Sequence, residues 1–169
     1  MRIGIALGSN IEDRLLHIRS ARDLLLPLHD SAGPFLCSPI YETSPVDCPE
    51  ASPPFLNATI ELSSSIPPQD ILASLQSIER QLGRPADHSF HAPRTIDLDL
   101  LYCDNVEISH HSLTLPHPRI HQRLFVLVPL SDICPARILA NQNRSVRELR
   151  DSLGLVSDNF GITNFTSEF

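Results

Sequence analysis

Asp97-Leu98-Asp99 is the triplet in this chain whose spacing most directly suggests chemistry. Ile96, Leu98 and Leu100 alternate with polar neighbours, which predicts a strand over 95–102 with both carboxylates on its other face. Two carboxylates that close repel each other unless positive charge lies between them. A hard divalent cation shared with substrate phosphates would meet that need, and so, more blandly, would the solvated outer face of an edge strand. Arg94 just upstream could fork onto phosphate oxygens or form a surface ion pair with either aspartate.

A second strand, predicted over 55–62, places Leu56, Ala58, Ile60 and Leu62 toward a core and Phe55, Asn57, Thr59 and Glu61 on the opposite face. Phe55 beside Asn57 suits a flat heterocycle, one residue stacking on it and the other reading its edge; packing under a loop would explain them equally well. His110, His111, His117 and His121 cluster in sequence, but only His117 and His121 have helical i, i+4 spacing, and a proline interrupts them. The cluster does not read as a structural zinc site.

Composition removes several function classes. The chain has 169 residues, 41% hydrophobic and 20% charged, which is enough for one domain with its own core and short for two. Acids outnumber bases by 20 to 13, so sequence-independent binding to nucleic acid is not expected. All 13 bases are Arg. Without Lys there is no Schiff-base chemistry and no Walker-A loop. Cys37, Cys48, Cys103 and Cys134 form no C-x-x-C pair and read as reduced thiols. No segment has the length of a membrane span or the pattern of a signal peptide, so a soluble, cytoplasmic protein is expected.

The remaining elements must hold these residues in place. Residues 2–7 alternate as a strand with Gly4 and Ala6 on one face, and Gly8-Ser9-Asn10 turns it, with Asn10 as the expected helix N-cap. Ile11, Leu15, Ile18, Ala21 and Leu25 recur at helical spacing as far as Pro27. A strand is expected around 35–43, and then a loop over 44–54 with four prolines in eleven residues. Pro67-Pro68 opens a second helix carrying Ile71, Leu75, Ile78 and Leu82, which Gly83 stops. A second exposed loop is expected over 84–93. The C-terminal third should hold a short hairpin, a turn at Pro116-His117-Pro118, an apolar helix from about Arg123 and a weak helix over 146–153. The last dozen residues look unstructured. The order is β-α-β-β-α-β, which makes the expected fold α+β: a ferredoxin-like core with an antiparallel sheet, helices on its faces and a C-terminal extension.

Taken together, the motifs resemble the 6-hydroxymethyl-7,8-dihydropterin pyrophosphokinases of folate biosynthesis. The matching segments are Ile5-Ala6-Leu7-Gly8-Ser9-Asn10, Tyr41-Glu42-Thr43-Ser44-Pro45, Phe55-Leu56-Asn57-Ala58, and Ile78-Glu79 with Gly83-Arg84. Pro93-Arg94-Thr95-Ile96-Asp97-Leu98-Asp99-Leu100-Leu101, Leu115-Pro116-His117 and Arg123-Leu124-Phe125-Val126-Leu127 complete the series, in family order from about residue 3 to 135. The chain departs from the family at Phe90-His91-Ala92, where a basic residue and Trp are usual, at Ala86, and at Phe55, where Tyr is common.

The resemblance implies a single domain over 1–169, its family-like core at about 3–135 and a C-terminal helix and tail at 136–169. It implies transfer of pyrophosphate from ATP to the pterin alcohol, with AMP released. By resemblance, Asp97 and Asp99 hold two Mg²⁺ ions, and Arg84 and Arg94 act with them as catalytic residues. ATP would meet Gln76, Glu79, Arg84, Arg94, Leu100, Thr114, His117 and Arg123. The pterin would meet Thr43, Ser44, Val46, Phe55, Asn57 and Phe125. Expected partners are these two substrates, with other folate-pathway enzymes left open and neither nucleic acid nor membrane among them. The competing expectations are a non-catalytic ferredoxin-like module binding a small metabolite and a Mg-dependent phosphohydrolase.

Overall fold

The computed structural model describes residues 1–45, 52–84, 94–156 and 161–169. Its main sheet joins β1 (Arg2–Ser9), β2 (Leu36–Cys37), β3 (Ile40–Thr43), β4 (Phe55–Ser63), β5 (Asp97–Cys103) and β8 (Thr163–Thr166). The strand order is β5-β1-β4-β3-β8, with β2 also paired to β4, and every pairing is antiparallel. Helices α1 (Arg14–Leu25) and α2 (Pro68–Gln81) supply the two α elements of the expected β-α-β-β-α-β order. Beyond it come the hairpin β6 (Ile108–His110) and β7 (Leu113–Leu115), then α3 (Leu124–Ile133) and α4 (Val146–Val156). Among the described residues no helix is long and apolar enough to cross a membrane.

The sheet is covered on both faces. Ile3, Ile5 and Leu7 of β1 pack with Leu56, Ala58, Ile60 and Leu62 of β4 against Ile18, Ala21 and Leu25 of α1 and Ile71, Leu75 and Ile78 of α2. A second cluster unites Leu101 and Tyr102 of β5 with Val126, Leu127 and Leu130 of α3 and Val146 and Leu149 of α4. A register shift at Gly4/Ile5 sets Tyr102 opposite Gly4 and Leu100 opposite Ile5, which turns the β5 tyrosine into this second layer.

The face of β4 expected to be open is therefore half closed. Thr59 and Glu61 do point away from the first core, but they are buried. Glu61 accepts hydrogen bonds from Arg2 and Tyr102, and Arg137 Nη2 lies 2.9 Å from its second oxygen. The Arg137 guanidinium also stands 4.5 Å from the centroid of the Tyr102 ring. A buried carboxylate is tolerable only with such partners, and these come from residues 41 and more positions away in sequence.

Four local expectations need correction. Asn10 does not cap α1: Glu12 takes a positive φ of 57°, which delays the helix, and Asp13 accepts from Leu16 N at 3.0 Å as the cap. The strand over 35–43 is split at Ser38-Pro39, where the proline has no N–H to give the ladder. β5 begins at Asp97 rather than at residue 95. The last dozen residues are not all irregular, because β8 adds to the edge of β3. α2 opens on Pro68 after Pro67, as expected, and α4 begins with Ser145 and Glu148 capping each other's main-chain N–H.

Candidate active site

Gly8, near the end of β1, has Asn57 of β4 as its partner on one side and Asp97 of β5 on the other. Directly opposed residues of a sheet share a face, so all three lie on the side away from α1 and α2. Asp99 follows two residues along, opposite Ala6. The small residues of β1 leave room above the sheet between the carboxylates and the amide.

Three arginines converge on the carboxylates. Arg84, just past α2, pairs with Glu79 and with Asp97 Oδ1 at 2.7 Å. Arg94 reaches the same Asp97 oxygen at 3.2 Å, and Arg123, the residue before α3, donates to Asp99 Oδ2 at 3.0 Å. Glu79 also accepts from Leu98 N at 2.8 Å, which ties α2 to the start of β5. Burial and the neighbouring Asp99 push the Asp97 carboxyl above its usual value, against the pull of Arg94 and Arg84. Burial likewise raises Glu79.

Beyond Asp99 a cleft of about 260 Å³ opens, lined by Leu72, Leu98, Asp99, Leu100, His111, Ser112, Leu113, Thr114, His117 and Pro118. Burial lowers the His117 pKa, chiefly through desolvation. Its Nδ1 accepts from Arg119 N at 3.2 Å, so the neutral ring carries its proton on Nε2.

On the β4 side, Asn57 Nδ2 donates to Thr43 Oγ1 at 2.7 Å, and both residues are buried. Phe55 begins the same strand, and the Arg123 guanidinium lies 5.4 Å from the ring centroid of Phe125 at the start of α3. The expected residues thus fall into two adjacent groups. One comprises Glu79, Arg84, Arg94, Asp97, Asp99, Leu100, Thr114, His117 and Arg123; the other comprises Thr43, Phe55 and Asn57, with Phe125 beside Arg123. Gln76 is exposed on α2, one turn before Glu79, and does not line the cleft. Ser44 is exposed at the end of β3. Val46 and the substituted stretch Phe90-His91-Ala92 lie outside the described residues, as do most of the two expected loops.

Two contributors were missed by sequence reasoning. Asn10 looks like a helix cap in the sequence, but it locks the backbone of Arg94: its Oδ1 accepts from Arg94 N at 2.9 Å, and its own N–H donates to Arg94 O at 3.3 Å. Gly8 looks like a turn residue in the sequence, and only the three-strand register reveals its central position.

Paired carboxylates, three arginines and a buried amide thus meet on one face of an α+β sheet. The chain belongs to the 7,8-dihydro-6-hydroxymethylpterin-pyrophosphokinase family, whose pattern it matches over residues 4–135. It is a pyrophosphokinase of folate synthesis, which displaces the expectation of a non-catalytic binding module. A Bacillus subtilis 2-amino-4-hydroxy-6-hydroxymethyldihydropteridine pyrophosphokinase is 44% identical over 130 residues, covering 77% of this chain and 76% of that protein. The mitochondrial folate synthesis bifunctional protein of Arabidopsis thaliana is 39% identical over 129 residues, covering 76% of this chain but only 23% of its own length. Among solved structures, an HPPK-DHPS in complex with substrates superposes with a TM-score of 0.70 at 15% identity, covering 89% of this chain and 43% of that one. At that identity the superposition speaks for the fold alone.

Proposed function

We propose that the chain moves the β,γ-pyrophosphoryl group of ATP onto the hydroxymethyl oxygen of 6-hydroxymethyl-7,8-dihydropterin and releases AMP. The observation that carries this reading is the placement of Gly8 between Asn57 and Asp97, which sets a heterocycle-reading amide next to a phosphate-handling cluster. A neutral alcohol must attack a crowded, anionic phosphorus, so charge placement and alignment are the tools the protein has.

The donor chemistry fits Mg²⁺. Asp97 and Asp99 offer only oxygen, and among the described residues no third His, Cys, Asp or Glu closes a cage around them. That leaves coordination positions for water and phosphate, as Mg²⁺ prefers, and we assign two ions to these carboxylates. Bound there, Mg²⁺ would polarise the hydroxyl and screen phosphate charge.

Arg84, Arg94 and Arg123 grip phosphate oxygens once the nucleotide arrives, exchanging carboxylate for phosphate. His117, neutral with Nε2 protonated, adds a hydrogen-bond donor rather than a charge. Glu79 fixes Arg84 and the β5 backbone, while Leu100 and Thr114 border the nucleotide and Gln76, outside the cleft, reaches it only at its exposed rim. Asn57, with its Nδ2 committed to Thr43, presents its remaining polar edge to the pterin. Phe55 and Phe125 take the ring between them, and Thr43, Ser44 and Val46 line its pocket.

We further read residues 1–169 as one pyrophosphokinase domain, supported by two hydrophobic clusters built on one sheet. The free thiols Cys37, Cys103 and Cys134 support a cytoplasmic setting, where other folate-pathway enzymes are its candidate partners. The direct test incubates the chain with ATP, Mg²⁺ and the pterin alcohol. AMP and pterin diphosphate should appear in equal amounts, and neither should form when the pterin or the metal is omitted. AMP or phosphate release without pterin would instead mark a hydrolase.

A further inference from the structure

Residues 161–169 lie beyond the stretch that matches the family, yet they add a strand to the β3 edge of the main sheet. β8 pairs with β3 at Tyr41↔Asn164 and Glu42↔Thr163, immediately before Thr43 and Ser44. Gly161, at φ 51°, approaches Ser44 so closely that a Cβ there would stand 2.7 Å from Ser44 Oγ. The other end of this segment is tied to α1. Arg22 Nη1 donates to the main-chain oxygen of Phe169 at 2.6 Å, its guanidinium lies 5.8 Å from the Phe169 ring centroid, and Arg19 donates to Glu168 O at 3.3 Å.

The first residue of α1 closes the arrangement. Arg14 Nη1 lies 2.8 Å from Glu42 Oε1 and donates to Pro54 O, also at 2.8 Å. Glu42 precedes Thr43, Pro54 precedes Phe55, and Thr43 and Phe55 are register partners. One guanidinium thus spans the points where the chain leaves β3 and re-enters β4. Such a partly exposed ion pair adds little to global stability. Its effect is to fix a local distance, between two residues whose side chains share one face of the sheet.

We propose that Arg14 and β8 are positioning elements for the pterin, holding Thr43, Ser44 and Phe55 in their binding arrangement before the ligand arrives. This rests on the reading of those three residues as pterin-lining. β8 lies at the opposite edge of the sheet from β5, which carries Asp97 and Asp99, and Arg14 ties β3 to β4, so their effect is selective. Preorganisation of this kind lowers the ordering cost of binding, and its loss shows in affinity rather than in the chemical step.

The test uses the full-length chain with Arg14→Ala, Arg14→Lys, Gly161→Val and, as a probe of the pocket itself, Asn57→Ala. Steady-state KM for the pterin, kcat, the Kd of a non-hydrolysable ATP analogue and the thermal midpoint are measured for each. Arg14→Ala and Gly161→Val should raise the pterin KM about tenfold, with kcat and analogue affinity within about twofold, and Arg14→Lys should recover part of the loss. If Asn57→Ala raises the pterin KM and the other variants do not, the positioning role is wrong while the pocket stands. If Asn57→Ala has no effect, the pocket reading falls and the proposal falls with it. Parallel losses in analogue affinity and thermal midpoint would make Arg14 and β8 general supports and would also overturn the proposal.

Discussion

Gly8 and Asn57 are register partners on β1 and β4, and a Cβ on the glycine would come within 3.2 Å of Asn57 Oδ1. The amide cannot simply swing away, because its Nδ2 is bonded to Thr43. Gly8→Ala should therefore displace Asn57 by a few tenths of an ångström without unfolding the sheet. The expected result is a roughly tenfold rise in the pterin KM with ATP-analogue affinity almost unchanged, measured by steady-state kinetics and titration. Equal losses for both ligands would contradict the placement of Asn57 in the pterin pocket.

Asp97→Asn and Asp99→Asn should each lower kcat by about 10²–10³-fold while the far-ultraviolet circular dichroism is retained. Burial and mutual repulsion already disfavour the Asp97 carboxylate, so removing one negative charge relieves a strain as well as freeing an arginine. Near-native turnover in either variant would exclude that carboxylate from the metal site.

Arg137→Met tests the second layer. Glu61 is almost wholly buried and would keep Arg2 on Oε1 and the Tyr102 hydroxyl on Oε2 while losing the charged partner on Oε2. Breaking a buried ion pair from one side costs about 3 kcal/mol, which urea unfolding would register as a lower midpoint with an unchanged slope. A change below about 0.5 kcal/mol would place this arginine among surface pairs instead.

His117 gives stability a pH dependence whose sign is fixed. Its folded pKa is lowered from the usual 6.5, chiefly by burial, so between the two values the unfolded chain binds more protons. The contribution is complete above pH 6.5 and is lost as pH falls through that value toward the folded pKa. Comparing the wild-type chain with His117→Asn by urea unfolding at pH 7.5 and 5.5 cancels the carboxylates common to both. The wild-type chain should lose more stability on acidification; an equal loss in the variant would leave His117 without this role.

Periodicity alone located β1, β4, α1 and α2, because each carries a long apolar stripe that meets the first core. It could not show that Thr59 and Glu61 are buried. Their polar alternation looks solvent-facing, and the groups that satisfy Glu61 arrive from Arg2, Tyr102 and Arg137 in distant parts of the chain. β8 has little apolar character of its own and owes its conformation to the open edge of β3. The D-x-D pair and its flanking arginine were visible as chemistry, but their convergence with Arg84 and Arg123 required the fold. Asn10 was assigned to the wrong backbone, since a side-chain acceptor after a strand can serve either a helix start or a neighbouring loop.

Among the described residues, the three guanidinium groups of Arg84, Arg94 and Arg123 are matched by the carboxylates of Glu79, Asp97 and Asp99. Without substrates the site behaves as an ion-exchange bed already loaded with its own counter-ions. A polyanion entering alone must strip arginines from carboxylates and strand negative charge beside itself; a cation entering alone strands the arginines. The two displaced sets neutralise each other only when anion and cation enter together. Nucleotide without metal should therefore be a poor ligand, and calorimetric titration without pterin should show ATP with Mg²⁺ binding more tightly than ATP in chelator.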